Sequence, residues 1–493
     1  MSDIRALALA IDWLPWVLGL PLAFGALAFL LGARPARAFA PPALLLTLLA
    51  AAALAGRVLV LGPQRHAVGG WGAPLGIELY ADGLACTMLL MTAGVALFVG
   101  WYARHYFARA DGGATYFWPL TGLLIGALNA LYLSADVFNL YVALELLGLA
   151  AVGLVALAGG AAALGAALRY LLAALVGSLL YLLGVALLYG AHGTLALAEL
   201  AARLTPGPTA ATVIALMIVG LALKTALFPL HFWLPPAHGG AVTPVSALLS
   251  ALVIKASFYL ILRLWFGAFA PAVTVGAAQA LGVLGAAAIL WGSWLAAREP
   301  KLKMIVAYST VAQVGYLFLV FPLATHAAGA EAAWNGAVYH AVAHALAKAA
   351  MFLAAGAMLR AVRAEALDSL DGISAQRPLA LFAFALASVS LMGLPPSGGF
   401  IAKWLLLEAA LAGGQWWWVA VMIAGGLLTA VYLFRVLRHA FLPARSGKQF
   451  RASAATLELS AFVLALAAAT LGLAASGPLA LAGIGAPFAP AGP

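Results

Sequence analysis

Apolar runs about twenty residues long recur along the chain, separated by short polar interruptions, and this alternation is the first structural signal. They fall at 13–32, 39–62, 79–101, 116–134, 136–159, 165–190, 210–233, 244–268, 273–297, 304–323, 332–359, 378–412, 415–437 and 456–476. A bilayer core of ~30 Å is crossed by roughly 20 helical residues, so the pattern predicts about fourteen membrane-spanning helices. The runs are rich in Leu, Ala and Gly and lack sustained period-two alternation, which favours helices over barrel strands. Small-residue stretches such as AGGAAALGAAL let helices approach closely. The predicted fold class is an all-α polytopic membrane protein.

Composition agrees. Across 493 residues the hydrophobic fraction is 66% and the charged fraction 8%, with a mean hydropathy of +1.08; no water-facing surface is built from such a chain. A single cysteine, Cys86, excludes cysteine-ligated iron–sulfur clusters, Cys-based zinc sites and an intrachain disulfide. The net charge of +10 is spread between apolar spans, with no basic arm for nucleic acid. RSGKQ lacks the spacing of a phosphate loop, so no ATPase is implied. Asp3 and Arg5 precede an apolar run too long for a signal-peptide core and without a small-residue cleavage site, so it is expected to remain as the first span.

The basic residues set an orientation. Numbering the loops after successive spans, the odd ones hold Arg34, Arg37, Arg104, Arg109, Arg298, Lys301, Lys303, Arg360, Arg363, Arg377, Arg435, Arg438, Arg445, Lys448 and Arg451, whereas the even ones hold little beyond Arg65, Arg203 and Arg263. The positive-inside rule makes the odd loops cytoplasmic, with both termini on the outer face of the cell (inner) membrane.

Spans seven and twelve share an oddity. LFPLHFWLPPAHGG follows Lys224, and LMGLPPSGGFIAK ends on Lys403; both contain LPP with two glycines soon after. Pro229, Pro235 and Pro236, and again Pro395 and Pro396, are expected to interrupt these helices and free backbone groups that water or neighbouring helices must satisfy. If spans four to eight and nine to thirteen are two copies of one five-helix unit, the odd count turns the second copy upside down, an inverted repeat common among transporters. The expected organisation is 1–115 for the first three helices, 116–270 for the first repeat, 271–440 for the second, and 441–493 for a cytoplasmic loop, helix fourteen and the tail.

Ionisable residues also fall at membrane depth, where each costs at least ~2.5 kcal/mol on insertion scales. Glu145 lies near the middle of span five, with Asp136 at its edge. Lys224 lies in span seven, Lys255 three turns into span eight, and Lys403 just past the second break, with Glu408 five residues on. In YHAVAHALAKAAMFLAAGAM, His340, His344 and Lys348 repeat every four residues along one helix face. One reading makes these groups buried ion pairs and hydrogen-bonded polar groups that hold helices together, but Glu145 and Glu408 are too few to neutralise the lysines. The other makes them a water-bridged proton relay, in which a Glu145–Lys224 pair switches a proton as its members part. His231 and His238 flank the first break and divide between relay and capping. Asp136 and Glu408 are weaker candidates. His340 and His344 share one helix without an acidic or cysteine ligand, so neither a metal nor a haem is expected, and no other cofactor is called for. Arg169 reads as an interfacial or packing residue; Ser309, Thr310 and Gln313 in YSTVAQVGYLF read as packing polarity.

At these residues the chain resembles the antiporter-like subunits shared by Mrp-type multisubunit cation/proton antiporters, respiratory complex I and membrane-bound hydrogenases. The resemblance runs from WGAPLGIELYADGLACTML through DVFNLYVALELL, LKTALFPLHFWLPPAHGGAVTPVSALLSALVIKASFYLILR, EPKLKMIVAYSTVAQVGY and YHAVAHALAKAAMFLAAGAM to GLPPSGGFIAKWLL. It implies fourteen core helices, two inverted repeats and a central line of protonatable residues. By position, Glu145 matches the helix-five acid, Lys224 its partner, and Lys255 the central lysine; His340, His344 and Lys348 match the helix-eleven relay and Lys403 its end. Within the family the resemblance is greatest to the D-type member of Mrp antiporters, and the tail GPLALAGIGAPFAPAGP offers no long lateral helix. The implied function is proton translocation within a multisubunit Na+/H+ antiporter, alongside other membrane subunits. The alternatives are a non-redox pump subunit of a complex I or hydrogenase type oxidoreductase, and a proton-conducting subunit that energises inorganic-carbon uptake.

Overall fold

The structure is a computed structural model that describes residues 9–72, 76–108, 114–444, 450 and 455–488. Asp3, Arg5, Arg109, Arg445, Lys448, Arg451 and the last residues of the tail, all used above, lie outside the described residues. The helices, numbered to keep the predicted spans, are α1 (Leu14–Leu31), α2 (Ala33–Leu61), α3 (Gly83–Tyr106), α4 (Ala114–Leu133), α5 (Val137–Ala156), α6 (Gly160–His192), α7a (Pro208–Thr225) and α7b (Leu234–Gly240). They continue as α8 (Thr243–Ala268), α9 (Val275–Arg298), α10 (Leu302–Leu323), α11 (Ala327–Val362), α12a (Pro378–Met392), α12b (Gly398–Ala412), α13 (Trp416–Phe441) and α14 (Ala455–Ala474). Among the described residues, 13 helices are long and apolar enough to cross a membrane. The remaining predicted span, the twelfth at 378–412, is divided into two shorter helices, so the fold is a nearly all-α polytopic membrane protein.

Both interruptions have a local cause. Pro229 has no N–H for the Thr225 carbonyl, and its ring would strike that carbonyl in a helix. The predicted run 210–233 therefore stops as a helix at Thr225, where Ala226 takes a left-handed turn at φ 58°. Pro235 and Pro236, expected among the breakers, occupy the first turn of α7b, where a missing N–H loses no helical bond. They begin a helix instead of ending one. In span twelve the break runs from Gly393, at φ 82°, to Ser397, whose side chain caps α12b by accepting from the Phe400 N–H.

The two predicted five-helix units pair their elements in parallel ways: α4 lies on α5, α5 on α6 and α6 on α7a, just as α9 lies on α10, α10 on α11 and α11 on both halves of α12. Helix α8 is enclosed along its whole apolar window, and π-turns at Leu249–Val253 and Leu264–Ala268 interrupt its regular winding. Glycine pairs bring backbones together within each unit. A Cβ on Gly220 of α7a would lie 2.4 Å from the Gly177 carbonyl of α6, and one on Gly315 of α10 would lie 2.3 Å from the Gly285 carbonyl of α9.

Two features were not expected. A short antiparallel hairpin, β1 (Gln64–Ala67) with β2 (Glu78–Ala81), joins α2 to α3; four-residue strands in a polar loop carry too little alternation to be read. The C-terminal segment also forms a helix, Ser476–Gly483, beside α3, and the Gly83 N–H donates to the Ile484 carbonyl beyond it at 2.9 Å.

Next to this hairpin Asp82 caps α3 by accepting from the Ala85 N–H at 2.9 Å, and it also receives two hydrogen bonds from Arg263 of α8. Arg263, counted above as an outer-loop cation, is thus held inside the bundle, and its Nε donates to the Tyr259 hydroxyl at 2.8 Å. Asp82 is 1% exposed, so removing one partner strands the other charge. Asp82→Ala is expected to destabilise by roughly 3–5 kcal/mol and to lower the Tm in detergent markedly, whereas Asp82→Leu combined with Arg263→Met recovers much of the loss. An unchanged Tm for Asp82→Ala would contradict this assignment.

Candidate functional site

The site is a line of polar side chains through the bundle, and it begins where α6 and α7a touch. The glycine crossing places Ser178 and Lys224 against the same carboxylate: Glu145 Oε1 accepts from the Ser178 hydroxyl and from Lys224 Nζ at 3.3 Å. Ser178, one residue beyond Gly177, carried no signal in the sequence because a lone serine in an apolar helix is common. Next to Lys224 a small cavity of about 20 Å³, lined by Gly148, Tyr170, Val253 and Ser257 among others, has room for about one water molecule. It leads from α7a to α8.

On α8, Lys255 is fully buried and folds back to donate to the Ser250 carbonyl inside the first π-turn. The Ser250 hydroxyl shares a hydrogen bond of 2.8 Å with Thr310 of α10. One turn from there Lys348 of α11 donates to the Val306 carbonyl at 3.0 Å and to the Ser309 hydroxyl. Ser309 and Thr310, read from sequence as packing polarity, are therefore partners of the lysine line. His344 and His340 follow on α11 with parallel rings 5.7 Å apart. Neither ring nitrogen of His344 has a hydrogen-bond partner among the described residues, while His340 Nε2 donates to the Gln313 carbonyl at 3.2 Å.

The line ends at the second break. Pro395 and Pro396 lack the N–H groups that would have taken the Leu391 and Met392 carbonyls, and Lys403 Nζ donates to those same two oxygens at 2.7 and 3.4 Å. Its ammonium also sits 4.3 Å from the centre of the Tyr316 ring, a cation–π contact. Gln313 donates to the Leu391 carbonyl as well, at 3.4 Å, which joins the histidine pair to the lysine through one backbone oxygen. Gln313 thus belongs to the site and not only to packing.

The weaker candidates separate. Asp136 caps α5, with one carboxylate oxygen accepting from the Phe138 and Asn139 N–H groups at 2.8 Å each, and burial raises its pKa above the ordinary carboxylate value. Glu408 faces outward on α12b, away from the line. His231 lies in the first break beside Phe228. His238 is fully buried on α7b, stacked on Phe352 of α11, and neither of its nitrogens has a partner among the described residues. Lys303, assigned above to a cytoplasmic loop, lies in the first turn of α10 and donates to the Ala241 carbonyl at the end of α7b.

A break in α12 whose freed carbonyls hold Lys403, set in a bundle of membrane-length helices, is the pattern of a polytopic membrane protein of the antiporter-like class. The chain belongs to the NADH:quinone oxidoreductase/Mrp antiporter transmembrane family, which it matches over residues 134–429. It is 38% identical over 415 residues to the N subunit of the NADH-quinone oxidoreductase of Desulforudis audaxviator, covering 82% of this chain and 81% of that one. It is 31% identical over 386 residues to the D subunit of the Na(+)/H(+) antiporter of Alkalihalophilus pseudofirmus, covering 76% and 75% respectively. A chain in the structure of the Mrp complex from Dietzia sp. DQ12-45-1b superposes with a TM-score of 0.85 at 27% identity, over 98% of this chain and 97% of that one.

The crossing of α6 on α7a determines the Glu145–Lys224 geometry, so a side chain there is expected to disturb it. Gly220→Ala overpacks the contact and is expected to cost about 1–3 kcal/mol. Gly165→Ala, where a Cβ meets nothing within 4 Å, leaves the Tm unchanged or slightly raised. Equal Tm values for the two variants in detergent would show that the helices do not meet as described.

Proposed function

We propose that the chain is the proton-translocating subunit of a multisubunit monovalent cation/proton antiporter. Protons pass along the line from Glu145 and Lys224 through Lys255, Lys348, His344 and His340 to Lys403, with water filling the gaps, and their inward flow is coupled to Na+ export. The observation that carries this reading is the set of hydrogen bonds that tie Lys255, Lys348, His340 and Lys403 to α8, α10 and α12a, with Glu145 and Lys224 paired on α5 and α7a. A purely structural set of cations would be paired with carboxylates, yet only Glu145 forms a salt bridge with any of these four lysines among the described residues. A carbonyl accepts a hydrogen bond from a neutral amine as it does from an ammonium. Lysines bound to carbonyls therefore gain and lose protons without losing their place.

On this reading residues 116–270 and 271–440 are inverted repeats, each contributing one interrupted helix. Both termini lie on the outer face of the inner membrane, and the partners are the other membrane subunits of an Mrp-like assembly. The 38% identity to a component of an NADH-quinone oxidoreductase favours a second reading, a non-redox pump subunit powered by electron transfer. The same proton line serves either.

In inverted vesicles that contain the assembled complex, Glu145→Ala, Lys224→Ala and Lys403→Ala are each expected to reduce Na+-dependent collapse of an imposed ΔpH by at least about tenfold, with assembly intact. Near-normal activity in all three would rule out the relay. ΔpH collapse by the wild type without an electron donor supports the antiporter; proton movement only with a donor supports the redox-driven pump.

A further inference from the structure

A second polar cavity lies outside the proton line. It has a volume of about 530 Å³ and is walled by the start of α6, the end of α7b, the start of α10 and the loop after α11. Arg169, Lys301 and Lys303 contribute three cations against one carboxylate, Glu365. Lys301 and Glu365 pair at 2.9 Å in the open, and that bond raises the lysine's pKa above its ordinary value. Lys303 lies beneath them on the Ala241 carbonyl. Arg169 is exposed on α6, and its guanidinium has no carboxylate partner among the described residues. The cavity lining therefore carries a surplus of positive charge, offset in part by Glu299, whose carboxylate accepts from the Lys301 N–H at 3.2 Å beside it.

Its depth identifies what it faces. Helix α6 has 33 residues, a length of about 50 Å against a hydrocarbon core of ~30 Å. Roughly one and a half to two turns project beyond the core at each end, so Ala161, Ala162 and Gly165 stand at headgroup level. Arg169 begins just inside the hydrocarbon edge and reaches back toward it, as arginine does at membrane interfaces. The α6 wall is built of residues with little or no side chain, and a Cβ on Gly165 would meet open space. Immediately below, Leu168 and Leu172 are exposed and form an apolar track of the kind that acyl chains cover.

We propose that this cavity seats the phosphate of an anionic phospholipid headgroup, with Arg169 and Lys301 as its direct ligands and the acyl chains lying along α6. A guanidinium presents paired donors to phosphate oxygens, and basic pockets between transmembrane helices at headgroup depth suit anionic lipids. Glu365 limits the surplus charge and so favours one phosphodiester over a multiply charged anion. The proposal is independent of the transport reading.

The test is native mass spectrometry of the intact assembly taken from nanodiscs of equal parts phosphatidylglycerol and phosphatidylcholine. The wild type is expected to retain phosphatidylglycerol over phosphatidylcholine, and Arg169→Gln with Lys301→Gln to lose that preference by roughly tenfold. Both side chains are exposed, so the double variant keeps the wild-type Tm. Ala162→Phe, which fills the cavity without touching its charge, is expected to lose the lipid as well and serves as a second variant. Equal retention by the wild type and both variants would overturn the proposal. Displacement of the bound lipid by millimolar inorganic phosphate would overturn the lipid assignment in favour of a soluble phosphate ligand.

Discussion

A cation inside a low-dielectric protein needs either a counter-ion or a set of oriented dipoles, and here three of the four central lysines rely on dipoles. An ordinary transmembrane helix offers few, because each carbonyl is already taken by the N–H four residues on, although the Val306 carbonyl of α10 accepts from Lys348 as well. Proline removes such an N–H, and the pair Pro395 and Pro396 releases the two oxygens that hold Lys403. A π-turn does similar service in α8, where the Ser250 carbonyl receives Lys255. For Lys255 and Lys403 the placement of the lysine and the irregularity of the helix are therefore one constraint.

The two ends of the line differ in kind. At Glu145 and Lys224 a carboxylate faces the ammonium across a contact that two glycines make possible. At Lys403 the partners are carbonyls and the face of Tyr316, which carry no net charge. Between them the hydroxyls of Ser250, Thr310 and Ser309 and the backbone of Gln313 connect α8, α10 and α11. His344, buried without a hydrogen-bond partner among the described residues, is suited to hydrogen-bond with water in either tautomer. The close packing of α6 on α7a at Gly177 and Gly220 holds the first member of the line in place.

Much of this was legible in the sequence because the signals were expensive ones. Lysines in apolar runs and LPP motifs inside predicted spans stand out against any background of leucine and alanine, and the i, i+4 spacing of His340, His344 and Lys348 places them on one face without further information. Less visible were residues whose type is common in membrane helices. Ser178, Ser309, Thr310 and Gln313 gained their meaning only from helices distant in sequence. Lys303 and Arg263 looked like loop cations because each stands near the end of an apolar run, and burial depends on what packs against that end. The two prolines of LPP before His238 began a helix where the motif alone suggested a break, since proline in a first turn and proline in mid-helix read the same without the boundary.

The central claim is that the lysines and histidines between Glu145 and Lys403 carry protons as one connected line. Lys348 lies between its two ends and joins α11 to α10 through Ser309 and Val306. The most direct measurement is proton flux in proteoliposomes containing the intact assembly with Lys348→Met, a change that keeps length and packing while removing the amine. The account predicts that flux falls at least about tenfold while the assembly and its Tm are preserved. Wild-type flux in that variant would contradict it.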